Sequence, residues 1–181
     1  MSFKKSRSKS DKIENTQYDN MIKNWITEHL YRKKSIAIIF NDKNEFLVDQ
    51  LVNYGENDWN FSGGGIEKGE TEEQGLLREL QEELGTNKFK IVFKSKNLVS
   101  YNWPWRVVIQ RIFKKNEIYI GQSQRHFVVK FVGIKTDIKP DPSEIRKIKW
   151  IKRNEFENYL NFPNQVKITE DILKEYEANL N

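Results

Sequence analysis

Gly64-Gly65-Ile66-Glu67-Lys68-Gly69-Glu70-Thr71-Glu72-Glu73-Gln74-Gly75-Leu76-Leu77-Arg78-Glu79-Leu80-Gln81-Glu82-Glu83-Leu84-Gly85-Thr86 is the stretch on which the reading of this chain turns. Leu76, Leu77, Leu80 and Leu84 share one face at helical spacing. Thr71 is followed three residues later by Gln74, the pattern of a capping box, and Gly85 supplies a stop. The spacing predicts a helix from Thr71 to Leu84. Opposite the leucines, Glu79, Glu82 and Glu83 stand at i, i+3 and i+4, so their carboxylates lie on one face. Like charges that close repel, and such a cluster is tolerable where cations neutralise it. Hard oxygen ligands of this kind suit magnesium or manganese, which also bridge phosphates. Arg78, one turn before Glu82, can hold a carboxylate, and Glu70 sits just ahead of the helix, where negative charge is favoured. Gly63, Gly64 and Gly65 let the backbone approach a metal or a phosphate closely. Taken alone, the three glutamates would read as a solvated acidic face. With Gly64, Glu70, Arg78 and Gly85 in register, they read as the site of a metal-dependent hydrolase that cleaves a pyrophosphate bond.

Upstream of this stretch, Ser35 to Phe40 reads as a buried strand, 41–44 as a turn and Glu45 to Leu51 as a second strand, together a hairpin. Met21, Ile22, Trp25, Ile26 and Leu30 recur at spacings of three and four, which predicts an amphipathic helix over Asp19 to Leu30 that packs against the domain. Downstream, strands are expected at Lys90 to Phe93, Leu98 to Tyr101, Ile118 to Ile120, His126 to Gly133 and Lys147 to Ile151, with Trp103-Pro104 as a break and Asp141 to Ser143 as a loop. Arg153 to Leu160 and Thr169 to Leu180 read as closing helices. The expected fold class is α/β: a mixed sheet with helices on both faces, an α/β/α sandwich.

The 181 residues fit one domain, read as 19–181, behind a basic tail at 1–18 expected to be disordered. There is no cysteine, so a thiolate metal site, a cysteine nucleophile and any disulfide partner are excluded, and a metal must be held by oxygen or imidazole. The apolar runs are too short to span a bilayer, and the polar N-terminus lacks the apolar segment of a signal peptide, which leads to an expectation of no membrane partner and a cytoplasmic location. The formal charge of +5, from 31 basic and 26 acidic residues, suits a polyanionic ligand. His29 and His126 lack ligand spacing and read as structural. Trp25 and Trp150 fit core positions, whereas Trp59, Trp103 and Trp105 lie in or near loops where a nucleobase could stack.

From Gly64 the register is glycine, five residues, Glu70, seven residues, then Arg78-Glu79-Leu80-Gln81-Glu82-Glu83-Leu84-Gly85. This resembles the Nudix box, with Thr86 standing where an aliphatic residue is usual. The resemblance implies the Nudix sandwich fold, Mg2+ or Mn2+ as cofactor, and Glu79, Glu82 and Glu83 as metal ligands, with Gly64 lining the metal and Arg78 as an active-site residue. It also implies a glutamate on a late loop that ligates the metal or acts as base, which here is Glu144.

A second layer of resemblance, over most of residues 31–176, is to the bacterial RNA pyrophosphohydrolase and dinucleoside polyphosphate hydrolase branch. It is carried by Tyr31-Arg32 before the first strand, Trp59-Asn60-Phe61 before the glycines, Tyr101-Asn102-Trp103-Pro104, and Gly121-Gln122-Ser123-Gln124-Arg125-His126-Phe127. It implies that Arg32, and with less support Arg125, contact substrate phosphates alongside Gly64 and Gly65. Ser62 replaces the usual proline before the glycines, Asp49 to Asp58 lacks the arginine expected near the terminal base, and Phe162 is the aromatic available to stack on it. The expected substrate is 5'-triphosphorylated RNA, with dinucleoside polyphosphates the alternative. ADP-sugar cleavage and a non-catalytic nucleotide-binding module rank behind these, and the oligomeric state is left open.

Overall fold

The computed structural model describes residues 19, 21, 22, 25–115 and 117–180. The expected tail at 1–18 lies outside them. Five strands, β1 (Tyr31–Phe40), β2 (Glu45–Leu51), β3 (Phe89–Asn102), β4 (Gly121–Phe131) and β5 (Ile145–Lys152), form one mixed sheet in the order β3-β4-β1-β2-β5. Among the described residues, the helices α1 (Glu72–Leu84), α2 (Trp105–Lys115), α3 (Phe156–Tyr159) and α4 (Gln165–Ala178) accompany them. The chain divides into two compact units, one of residues up to Arg32 with Ser100–Ser123, the other of Lys33–Val99 with Gln124–Asn181.

The larger unit is built on strand alternation. Ala37 and Ile39 of β1, Leu47 of β2 and Phe127, Val129 and Phe131 of β4 pack with Leu76, Leu80 and Leu84 of α1. Their neighbours Ile36, Ile38, Phe46, Val48 and Val128 pack instead with Phe156 and Leu160 and with Ile172 and Leu173 of α4. Successive residues of a strand point to opposite faces, so two cores on alternating residues mean a sheet covered on both sides. This is the expected α/β/α sandwich. The β1–β2 hairpin pairs Ile39 with Leu47 and Phe40 with Phe46. Asn41 closes its turn by accepting the Lys43 and Glu45 N–H groups on its side-chain oxygen at 2.9 and 3.0 Å. β2 also pairs antiparallel with β5, with a register shift at Gln50/Leu51, next to the loop that leads to the glycines.

Several sequence expectations are revised. Lys90–Phe93 and Leu98–Tyr101 belong to one strand, β3, at the edge of the sheet, where Lys94, Lys96 and Asn97 face solvent and Ser95 is buried without the strand ending. Ile118–Ile120 is irregular, and Ile118 and Ile120 are exposed; three residues with no face to bury do not hold a strand. Arg153–Leu160 opens with a 3-10 turn, Arg153–Glu155, before the short α3, and α4 begins four residues ahead of Thr169.

In the smaller unit, residues 25–30 are helical. The core position expected for Trp25 is not observed: Trp25 is 56% exposed, Met21 and Ile22 are exposed as well, and the Trp25 ring stacks on His29 one turn along at 4.8 Å. α2 is absent from the sequence expectations. Pro104 opens it, its carbonyl accepting the Val107 and Val108 N–H groups at 2.9 and 3.2 Å, because proline breaks a helix interior and is tolerated in the first turn. Its Trp105, Ile109, Ile112 and Phe113 recur at helical spacing and are all exposed. No helix of the described residues is long and apolar enough to cross a membrane.

Candidate active site

The site is organised by α1, whose span agrees with the sequence expectation. Thr71 accepts the Gln74 N–H at 3.1 Å while the Gln74 side chain accepts the Thr71 N–H at 2.9 Å, and Gly85 ends the helix in the left-handed region with φ 67°. Leu76, Leu80 and Leu84 are fully buried, which fixes the rotation of the helix and turns Arg78, Glu79 and Glu82 away from the core.

Arg78 gathers Glu70, Glu79 and Glu82. Its Nε and Nη2 donate to the two oxygens of Glu70 at 2.7 and 3.1 Å, and its Nη1 donates to Glu79 and Glu82, both at 3.0 Å. A fifth bond runs from Nη2 to the Gly65 carbonyl at 2.9 Å, tying the glycine loop to the helix. Planar bidentate pairing of this kind is specific to arginine. Glu70 also accepts the Glu67 N–H at 2.9 Å; with the Arg78 bond as the larger cause, its carboxyl is held below the usual range. The Glu70 carboxylate, and after it Glu79, hold the Arg78 pKa above its ordinary value.

Glu83 is built differently from its neighbour Glu82. The Glu82 side chain is 60% exposed, whereas Glu83 is 6% exposed and accepts the Gly63 N–H at 3.1 Å. Burial, then the nearby Asp49 charge, pushes the Glu83 carboxyl up to about 8. A Cβ at Gly64 would lie 1.9 Å from the Glu79 carboxyl carbon, so a side chain there would displace that carboxylate. The Gly64 carbonyl accepts the Ser35 N–H at 3.0 Å, which leaves a lone pair for a further donor or a cation.

Asp49 of β2 and Ser62 are the residues that sequence reasoning passed over as functional. Asp49 is 1% exposed, accepts the Ser62 hydroxyl on Oδ2 at 2.6 Å, and has no partner for Oδ1 among the described residues. Burial raises its carboxyl to about 6. An acidic residue two positions after the core residue Leu47, and so on the same face of the strand, was the available signal.

The remaining candidates fall in other places. The loop before β5 is fastened beside the end of α1, with Asp141 N–H donating to the Glu83 carbonyl at 2.9 Å and Lys139 N–H to the Leu84 carbonyl at 2.8 Å. Glu144 on that loop is exposed, and its carbonyl accepts the Val52 N–H at 2.8 Å. Arg125 is engaged within the larger unit, its Nε 3.2 Å from Glu72 and its Nη1 donating to the Ser95 and Lys96 carbonyls at 3.0 and 2.6 Å. Arg32, half-buried, is the second residue of β1 and belongs to the smaller unit. His126 is buried with Nδ1 unbonded, and burial lowers its pKa to about 4, so it is neutral, in keeping with a structural role. Trp59 packs edge-on against Tyr159 and Phe162 against Tyr54, while Trp103 lies under the Arg111 guanidinium at 4.5 Å.

The candidate donors, Glu79, Glu82, Glu83 and the Gly64 carbonyl, are oxygen only and suit a hard divalent cation, and the buried Glu83 carboxylate, repelled by the like charge of Asp49, has reason to take one. Among the described residues no three carboxylate or imidazole groups converge on one point. Arg78 draws Glu79 and Glu82 to itself instead.

Comparison with known proteins establishes the family. The NUDIX domain model matches residues 30–172. The chain is 31% identical over 160 residues to the RNA pyrophosphohydrolase of Orientia tsutsugamushi strain Boryong, covering 87% of this chain and 96% of that protein. It is 33% identical over 153 residues to the RNA pyrophosphohydrolase of a Nitratiruptor species, covering 80% and 95%. Among solved structures, the E. coli dihydroneopterin triphosphate pyrophosphohydrolase superposes with a TM-score of 0.62 at 16% identity, covering 78% of this chain and 96% of that one, a likeness of fold. With the box in register on α1 and its arginine bonding three of its glutamates, the chain belongs to the Nudix family.

Proposed function

We propose that this Nudix hydrolase removes pyrophosphate from the 5'-triphosphate end of RNA, leaving a 5'-monophosphate. The observation that carries the reading is the Arg78 network, which holds Glu70, Glu79, Glu82 and the Gly65 carbonyl around one guanidinium beside the buried Glu83. The curated relatives named RNA pyrophosphohydrolase, at 31–33% identity over most of the chain, support the RNA end over other phosphoric anhydrides.

In this proposal Glu79, Glu82, Glu83, the Gly64 carbonyl and Glu144 hold Mg2+ or Mn2+. The cation, when bound, offsets phosphate charge and lowers the pKa of water. The chain supplies the rest. Arg78 keeps the half-buried Glu79 and the exposed Glu82 in place, and the Gly63 N–H fixes the buried Glu83. Gly64 and Gly65 keep side chains out of the space where phosphates approach, and Arg32 and Arg125 are the cations proposed for phosphate contact. Arg125 must leave the Glu72 carboxylate to take that part. Water adds across the anhydride, its proton passes to a carboxylate, with Glu144 and Glu83 the candidates, and pyrophosphate departs. A cytoplasmic location belongs to the same proposal, since that is where such RNA ends are found.

Release of phosphate and pyrophosphate from triphosphorylated RNA and from diadenosine tetraphosphate, with Mg2+ or Mn2+, tests the reading against Glu82→Gln. Turnover of RNA that the substitution removes is the expected result. Turnover of the dinucleotide alone would make the chain a dinucleoside polyphosphate hydrolase, and metal-dependent turnover of neither would overturn both readings.

A further inference from the structure

The glycine loop is fastened to the sheet through its backbone. Asp49 and Asn60 exchange N–H···O bonds at 2.9 Å, Ala37 N–H donates to the Ser62 carbonyl at 2.9 Å, and Ser35 N–H donates to the Gly64 carbonyl at 3.0 Å. Between these anchors the chain passes through Gly63 at φ 140°, so close to β1 that a Cβ would lie 2.2 Å from the Ser35 carbonyl oxygen. The Gly63 N–H, aimed by this passage, holds Glu83 at 3.1 Å.

One side-chain bond acts on the same segment. The Ser62 hydroxyl, 2% exposed, reaches the buried Asp49 carboxylate at 2.6 Å, a short charge-assisted bond. Without it neither oxygen of Asp49 has a partner, and a buried carboxylate so placed must move or draw in water. Either change shifts the residue next to Gly63.

We propose that Asp49 is a positioning residue, which through Ser62 sets the glycine loop so that the Gly63 N–H orients Glu83. The functional half of this inference rests on the hydrolase reading, and the positional half does not. Residues that orient a metal-facing ligand are worth about 10- to 100-fold in affinity or activity when lost.

The test uses the full chain, with amide hydrogen exchange at Gly63 as one readout and Mn2+ affinity by electron paramagnetic resonance as the other. Ser62→Ala and Asp49→Ala are each expected to speed Gly63 exchange and weaken Mn2+ binding by about tenfold, with the double variant no worse than either. Turnover lost in these variants should return at saturating Mn2+. Asp49→Asn keeps an acceptor for the Ser62 hydroxyl and should restore both readouts toward wild type. Unchanged Gly63 exchange in Ser62→Ala overturns the proposal, as does an Asp49→Asn variant as impaired as Asp49→Ala, which would make charge the operative property. If Gly63 exchange follows the clamp while the wild type binds no Mn2+ and hydrolyses neither substrate, the hydrolase reading fails and the positional inference stands.

Discussion

α1 and α2 are helices of 13 and 11 residues with similar apolar spacing and opposite fates. In α1 Leu76, Leu80 and Leu84 are buried against the sheet while Leu77, expected on the same face, is 41% exposed, the N-terminus is capped by Thr71 and Gln74, and Arg78 bonds Glu70, Glu79 and Glu82. In α2 the stripe stays in solvent, with Trp105 67% and Phe113 84% exposed, and the helix carries no acidic residue. Arg106 lies over the Trp105 ring at 5.6 Å, and Arg111 finds its carboxylate outside the helix, at Glu117. Periodicity therefore specifies that a segment can be a helix with two faces. Whether the apolar face contributes stability depends on whether the sheet presents it with a partner.

That contrast can be broken in order of expected effect. Leu80→Ala should lower the unfolding free energy by about 2–5 kcal/mol, measured by chemical denaturation, because it opens a cavity in a fully buried cluster. Arg78→Lys should come next: a lysine cannot reproduce the fork on Glu70 while reaching Glu79 and Glu82, so activity should fall about 10- to 100-fold, or roughly 1.4–2.7 kcal/mol in the barrier. Steady-state kinetics checks it, and an unchanged rate would remove Arg78 from the organisation of the site. Thr71→Ala, which deletes the α1 cap, should cost about 1 kcal/mol in the same denaturation assay. Phe113→Ala on α2 should change stability by no more than about 0.5 kcal/mol, as for an ordinary surface position. A loss there comparable to that of Leu80→Ala would show that α2 buries its stripe in solution and would erase the distinction.

The same lesson holds at single residues. Glu82 and Glu83 are adjacent in sequence and alike in chemistry, yet one side chain is mostly in solvent and the other beneath the glycine loop. Helical spacing alone places them on a common face, at the angular edge of which the loop happens to close. Sequence resemblance implies that Arg125 contacts phosphate, and the fold shows where it rests, on Glu72 and two carbonyls of β3. Only the folded chain brings strand and helix residues 53 positions apart within bonding distance.

By itself the sequence determined the span and both caps of α1, the β1–β2 hairpin, the α/β/α class and the register of Gly64, Glu70, Arg78, Glu79, Glu82 and Glu83, because each of these depends on spacing within a short segment. It left α2 unread, since Pro104 is both a strand breaker and a helix opener and local pattern does not choose between them. The tertiary structure alone decided that Glu83 is buried, that Arg78 bonds three glutamates and a carbonyl, and that Asp49 meets Ser62 across 13 residues. These are contacts between elements, and their geometry follows from how the sheet aligns β1 and β2 with the loop that crosses them, which no local spacing encodes.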